Sequence, residues 1–476
     1  MTNRPNLVLI TTDQTRGDCL GVDGHPVVET PNLDSMGRNG VRFTKAYSSV
    51  PSCIAARAAI LTGLSQESHG RVGYQEGVTW NYKYTLPGEL AKAGYHTQGV
   101  GKMHFHPARN LCGFHNVQLI KGHGIVNEQP DDYYTWLKQQ AGYDTDLIEH
   151  GLNINSWVAR PWHLPEHLHP TNWTAAQSID FLRRRDPGKP FFLWMSFFAP
   201  HPPFIPPQVY FDQYINQDIP MPPVGDWADT EDKKQNGLVT DTFNGKLSKK
   251  ALHRARAAYY ASITHIDHQL GRFFDMLKEH GQFDNTFFVF TSDHGELLGD
   301  HNLFRKVLPY EGSARIPFLA RFPENMKNRP ENMIVDNPVE LRDIMPTFLD
   351  MAGIKLPGKV EGSSVVPLCR SKKANWRKYI HGEHAAPFKD ELSNHYLTDG
   401  KEKYIWFSKS GKEQLFDLSN DPQELRNLSG DAQYKNKLIY WRNILIRELK
   451  GREEVFSNGK KLIAGRKTVD CLKHIL

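Results

Sequence analysis

Three short apolar runs, each ending in ionisable side chains, constrain the fold of this chain more than any other feature. Asn6–Thr12, Phe191–Phe198 and Thr286–Thr291 are dense in β-branched and aromatic residues and lack the alternation of a half-exposed strand. They predict strands buried on both faces, with Tyr95–Val100 as a shorter companion. Helical patterns separate them. Thr174–Arg185 puts Ala175, Ile179 and Leu182 on one side, and Ala251–His280 is amphipathic through Ala258, Ile263, Ile266, Leu270 and Phe274. Strands alternating with helices predict an α/β fold, a sheet covered on both faces.

The residues that follow each strand are polar. Asp13-Gln14 follows the first, Gly101-Lys102-Met103-His104 the second, His201 (among prolines) the third and Ser292-Asp293-His294-Gly295 the fourth. Open α/β sheets place their sites at the carboxyl ends of strands. Each tip alone has a plainer reading: Asp13 as a turn cap, Lys102 and His104 as solvated surface residues. Asp13, Gln14, Asp293 and His294 together are mostly oxygen donors with one nitrogen. That set suits a divalent cation such as Ca²⁺ or Mn²⁺ better than a thiolate-bound metal.

Ser52–Gly63 predicts a short helix. Ala55, Ala56, Ala58 and Ala59 are strong helix formers, Ser52 is a candidate N-cap and Gly63 a C-terminal stop. Cys53 then sits in the first turn, where the positive end of the helix lowers a thiol pKa. Arg57 lies one turn on, along the same face. By itself Cys53 reads equally as a small hydrophobe in an alanine-rich helix.

The stretch from Cys53 to Gly63 resembles the activation motif of the type I sulfatases, Cys-x-Pro/Ala-x-Arg followed by Leu-Thr-Gly, with Ala55 at the position more often proline. Other segments resemble that family in order: Pro31-Asn32-Leu33-Asp34, Gly101-Lys102-Met103-His104, Pro200-His201-Pro202-Pro203, Thr291-Ser292-Asp293-His294-Gly295, and Asn420-Asp421-Pro422-Gln423-Glu424. The resemblance spans about residues 5–430. It implies an alkaline phosphatase-like fold: a large mixed, mostly parallel sheet sandwiched by helices, with a smaller C-terminal antiparallel sheet plus helix. It implies that a sulfatase-maturating enzyme oxidises Cys53 to formylglycine. Asp13, Gln14, Cys53, Asp293 and His294 would hold one metal ion, Ca²⁺ or Mn²⁺. Arg57, Lys102 and Lys306 would hold the charge of a sulfate ester. His201, with Lys306, would protonate the departing alcohol, and His104 would act in release. Gln14 and His294 replace the commoner Asp and Asn, as in choline sulfatases, phosphonate monoester hydrolases and many glycan sulfatases. The implied substrate is a small-molecule or oligosaccharide sulfate ester of a sugar or aryl alcohol. The alternatives are a phosphonate or phosphodiester hydrolase, a choline sulfatase, and an inactive binder of sulfated glycans.

Composition narrows the rest. The 476 residues carry a net charge of +5, with no basic run or basic-aromatic module that would point to nucleic acid. Five scattered cysteines show no metal-site or disulfide spacing. The N-terminal apolar run is too short for a signal sequence and no apolar stretch is long enough to span a membrane, so a cytoplasmic enzyme is expected. Residues 1–370 are expected to form the catalytic domain, with a loop-rich insertion at 105–172, and 371–476 a C-terminal subdomain and tail. Tyr133, Tyr134, Trp136, Trp157 and Trp162 in the insertion are expected mostly to pack rather than to stack on substrate. Residues 210–247 are expected as loop. Strands are expected at Arg315–Leu319, Lys403–Phe407 and Gln414–Leu418, and a helix at 429–450. The basic tail from Arg452 reads as an oligomer contact or a disordered end.

Overall fold

The computed structural model describes residues 4–121, 131–229, 240–371, 374–385 and 388–476. Parts of the expected insertion and of the proline-rich stretch therefore lie outside the described residues. The main sheet has eight strands, in the order Met333–Val335, Val41–Phe43, Phe318–Arg321, Thr286–Ser292, Asn6–Asp13, Phe191–Pro200, His96–Gly101 and Asn116–Leu119. The last five are mutually parallel, and Phe318–Arg321 runs against its two neighbours. The sheet is mixed and mostly parallel, as expected.

Asn6–Asp13 is central and wholly buried because both of its faces are covered. Leu7 and Leu9 point into a core with the Cys53–Thr62 and Ile344–Met351 helices. Val8 and Ile10 point the other way, into a core with the Pro170–Arg184 and Lys249–Glu279 helices. Successive side chains of a strand face opposite ways, so a two-sided core needs an unbroken apolar run.

Several expectations needed correction. The loop-rich insertion also carries two regular elements. Asn116–Leu119 adds a strand to the sheet, and Asp131 caps a helix over Asp132–Ala141. Both are short and flanked by glycine or proline, which hides their periodicity. Tyr133 and Trp162 are buried beneath this region, as expected. The proline-rich stretch holds most of a helix, Gln208–Ile215, packed on Lys249–Glu279. The strand expected at Arg315–Leu319 is divided at Pro317, which has no N–H to give. Arg315–Ile316 pairs with Ala46–Tyr47 in a three-stranded sheet, while Phe318–Arg321 joins the main one.

The C-terminal sheet has four antiparallel strands, Ile380–His384, Asn394–Thr398, Glu402–Phe407 and Glu413–Asp417, with Lys435–Glu448 as its helix. Ile380, Tyr396, Ile405 and Phe416 pack this sheet against Leu297, Val307, Leu308 and Tyr310. The tail is ordered rather than loose. Arg452 is buried on Glu383 and Glu454, and Val72 donates to the Asp470 carbonyl. Among the described residues no helix is long and apolar enough to cross a membrane.

Gly101 ends its strand at a φ of +100°, and a side chain there would meet the Ser196 carbonyl. Only glycine fits a left-handed residue against another backbone. Gly101→Ala is expected to lower unfolding free energy by about 2 kcal/mol or more, read as a lower denaturation midpoint.

Candidate active site

Three strand tips and one helix start meet at a single point. Cys53 opens its helix from an extended Ser52, and Gly63 closes it in the left-handed region, both as expected. The Ser52 hydroxyl, however, makes no capping hydrogen bond. All ten helix residues are buried, which explains the alanines: small side chains let the helix lie close beneath its neighbours.

Cys53 Sγ lies 3.2 Å from His294 Nε2, 3.7 Å from Asp13 Oδ1 and 4.0 Å from Lys102 Nζ. His294 Nε2 is 3.6 Å from an oxygen of both Asp13 and Asp293. One atom from each of Asp13, Cys53, Asp293 and His294 lies within 4.8 Å of the others, and all four residues are buried. His294 Nδ1 donates to the Gly295 carbonyl at 2.9 Å, which turns Nε2 toward the cluster.

The electrostatics describe a cation site. Burial and the Asp13 charge push the Asp293 carboxyl up. Burial would also raise Asp13, but Lys102, His201, Lys306 and His294 outweigh it and hold that carboxyl well below the usual range. Burial and Asp13 oppose ionisation of Cys53, yet Lys102, Lys306 and His294 prevail and hold the thiol low. Burial lowers His294, whereas Asp293 and Cys53 raise it above its ordinary value. An acidified thiol and an imidazole thus lie between two buried carboxylates. A divalent cation there would answer both carboxylates, so the donor set fits the metal expected from the sequence.

Arg57 lies against the two carboxylates of the cluster. Its guanidinium bonds Asp293 Oδ2 through Nε at 3.1 Å, Ser196 Oγ through Nη1 at 2.8 Å, and the Lys102 carbonyl. It is fully buried, with Nη2 3.0 Å from Asp293 and 3.9 Å from Asp13. Lys102 pairs with Asp13, and its ammonium sits 4.8 Å from the Phe198 ring. Lys306 Nζ donates to Gln14 Oε1 at 2.9 Å. Gln14 therefore stands beside the cluster with its oxygen on Lys306, while its amide donates to Glu296. His201 Nδ1 donates to the Pro202 carbonyl at 2.7 Å; burial and Lys306 push its pKa well down. His104 lies further out, 3.9 Å from Glu76 and edge-on to Tyr74.

Ser196, Glu296, Tyr74 and Glu76 were not singled out in the sequence. Ser196 joins Lys102 to Arg57, donating to the Lys102 carbonyl at 2.7 Å. Glu296 was visible only as the residue after the Ser-Asp-His-Gly tip. Tyr74 and Glu76 carry no motif. Gln14, His104, Arg305 and Val307 all have positive φ. Non-glycine residues held there store local strain, which collects at functional sites.

A Sulfatase family model matches residues 5–354. The chain belongs to the sulfatase family. A second model, N-sulphoglucosamine sulphohydrolase, C-terminal, matches residues 299–449. An arylsulfatase of Clostridium perfringens is 54% identical, over 99% of this chain and 100% of its own. An N-acetylglucosamine-6-O-sulfatase of Bacteroides thetaiotaomicron is 27% identical, over 92% and 84%. The crystal structure of a phosphonate monoester hydrolase of Agrobacterium radiobacter superposes with a TM-score of 0.77 at 26% identity, over 93% and 95%.

A second group in this sulfatase, His381, Glu383 and His395, also brings ligand atoms within 4.8 Å of one another. Arg452 holds both oxygens of Glu383, so that carboxylate is already neutralised. At the first cluster Arg57 has the same task. Arg57→Met is expected to destabilise the metal-free sulfatase by about 3–5 kcal/mol in equilibrium unfolding, because it strands a buried carboxylate.

Proposed function

We propose that this sulfatase hydrolyses sulfate esters of sugar or aryl alcohols through an aldehyde made from Cys53. One observation carries the reading: Cys53 Sγ lies inside the ring formed by Asp13, His294 and Lys102, not in apolar packing. A divalent cation, Ca²⁺ or Mn²⁺, held by Asp13, Asp293 and His294 with Gln14 beside them, would act as a Lewis acid and lower the pKa of a bound hydroxyl. Formylglycine, installed by a maturating enzyme, would supply that hydroxyl as a hydrate.

The chain's own residues supply the rest. Lys102, at a strand end, and Lys306, in the loop before Glu311–Ala314, hold the charge on the sulfate oxygens. Arg57 and Ser196 keep Asp293 and Lys102 aligned, so the cations need little rearrangement when substrate arrives. His201 is neutral without substrate, and its Nε2 is its remaining site for a proton. An anionic ester offsets the Lys306 charge and favours protonation there, giving the departing alcohol its proton. His104, backed by Glu76, takes a proton during release.

The family's relatives support sulfur as the target. The likeness to a phosphonate monoester hydrolase makes an aryl phosphonate the control substrate. Cys53→Ala is expected to abolish turnover of p-nitrophenyl sulfate without loss of fold. Lys102→Ala is expected to lower kcat/KM about 10²- to 10³-fold. Peptide mass spectrometry on protein from its own host should find an aldehyde at position 53; a thiol in fully active protein refutes the nucleophile. Chelation should abolish turnover and lower the melting temperature, and Ca²⁺ or Mn²⁺ should restore both. Faster turnover of the phosphonate than of the sulfate would reverse the assignment.

A further inference from the structure

The last residues of the chain reach back to the segment beside His104. Cys471 pairs antiparallel with Arg71, and Leu472 donates its N–H to the Gly70 carbonyl at 2.8 Å. Val72 and Gly73 donate theirs to the Asp470 carbonyl, at 2.9 and 3.0 Å. The Tyr74 N–H donates to Asp470 Oδ1 at 3.2 Å. Asp470 alone thus answers three successive backbone donors. Chain ends are loose unless something ties them down. Here Cys471 and Leu472 are buried. The seam is tight as well: a Cβ at Gly73 would strike Asp470 Oδ1 and come within 3.0 Å of the Asp470 Cα.

The stretch so held carries Tyr74 and Glu76, both exposed. The Tyr74 hydroxyl donates to Glu76 Oε1 at 2.6 Å. The same oxygen lies 3.9 Å from His104 Nε2, and the Tyr74 ring stands edge-on to the imidazole with centroids 6.1 Å apart. His104 and then Tyr74 hold the Glu76 carboxyl down at about 2, so it is charged at neutral pH.

The two halves of this loop are fastened differently. Arg71, buried, donates to the Tyr82 hydroxyl at 2.9 Å and the Val78 carbonyl at 3.0 Å, with its guanidinium 4.7 Å from the Trp80 ring. Trp80 in turn donates its N–H to the His106 carbonyl at 2.8 Å. Those contacts secure the later half from within the catalytic domain. The earlier half, Val72 to Tyr74, gives all three of its N–H groups to the tail. Aiming a side chain at a reacting group needs a fixed backbone, because misplacement by about 1 Å can cost about 100-fold in rate.

We propose that the C-terminal tail is a positioning element of the active site: Asp470 sets Tyr74, and through it Glu76, against His104. This role rests on the sulfatase reading above, in which His104 takes a proton during release, after the alcohol has left. The tail therefore governs the second half of the reaction and leaves the first alone.

The test measures kcat and KM for p-nitrophenyl sulfate with matured full-length enzyme. A slower release step lowers kcat and KM together and leaves kcat/KM, which is set before release, nearly unchanged. Asp470→Ala removes the acceptor for Tyr74 and is expected to lower kcat about tenfold in this way. Gly73→Ala wedges the seam and should do at least as much. Tyr74→Phe, which frees Glu76 with the tail intact, should show the same pattern. Asp470→Asn keeps Oδ1 and should restore most of the rate. Asp470→Ala leaves both backbone bonds to its carbonyl in place, so it still gives a reading if Gly73→Ala melts early. Hydrogen exchange at residues 72–76 should quicken in both Asp470→Ala and Gly73→Ala. Unchanged kcat despite faster exchange would overturn the inference, because the tail would then only stabilise. So would a fall in kcat at constant KM, the mark of fewer intact molecules, or an Asp470→Asn enzyme as slow as Asp470→Ala. A wild type inactive on every sulfate ester would sink the sulfatase reading, and this role with it.

Discussion

Everything in the catalytic half depends on keeping two carboxylates, Asp13 and Asp293, buried side by side. A carboxylate out of water is tolerated only if its charge is met. Arg57 and Lys102 meet it from within the chain, and the geometry leaves room for a cation to complete the balance. Lys102, together with Lys306 and His294, also holds the Cys53 thiol low against burial and Asp13. The buried ion pairs therefore do more than stabilise. They also gather the charged groups of the cluster around position 53.

The strained backbone belongs to this arrangement. Arg305 and Val307, on either side of Lys306, are both left-handed, and Val307 is β-branched. Such a turn persists only when its surroundings over-determine it. Here Val307 donates to the Pro51 carbonyl, packs in the inter-sheet core and receives Asn394 on its own carbonyl. The C-terminal sheet thus braces the Lys306 turn.

The strands and main helices were legible because a two-sided sheet writes an unbroken apolar run into the chain, and a long surface helix writes a 3.6-residue period. What escaped was short or divided. Asn116–Leu119 has four residues and no period to read. Gln208–Ile215 hides behind prolines, and Pro317 divides what looks like one strand.

For the site, the sequence by itself determined the ionisable groups, their places at strand ends and the helix that carries Cys53. Local chemistry specifies those, and the motif order identifies the family. Only the tertiary structure decided partners. It set Arg57 on Asp293 and Ser196, and Gln14 between Lys306 and Glu296. Those contacts join residues dozens to hundreds of positions apart, and a hydrogen bond's direction depends on packing that no local pattern encodes.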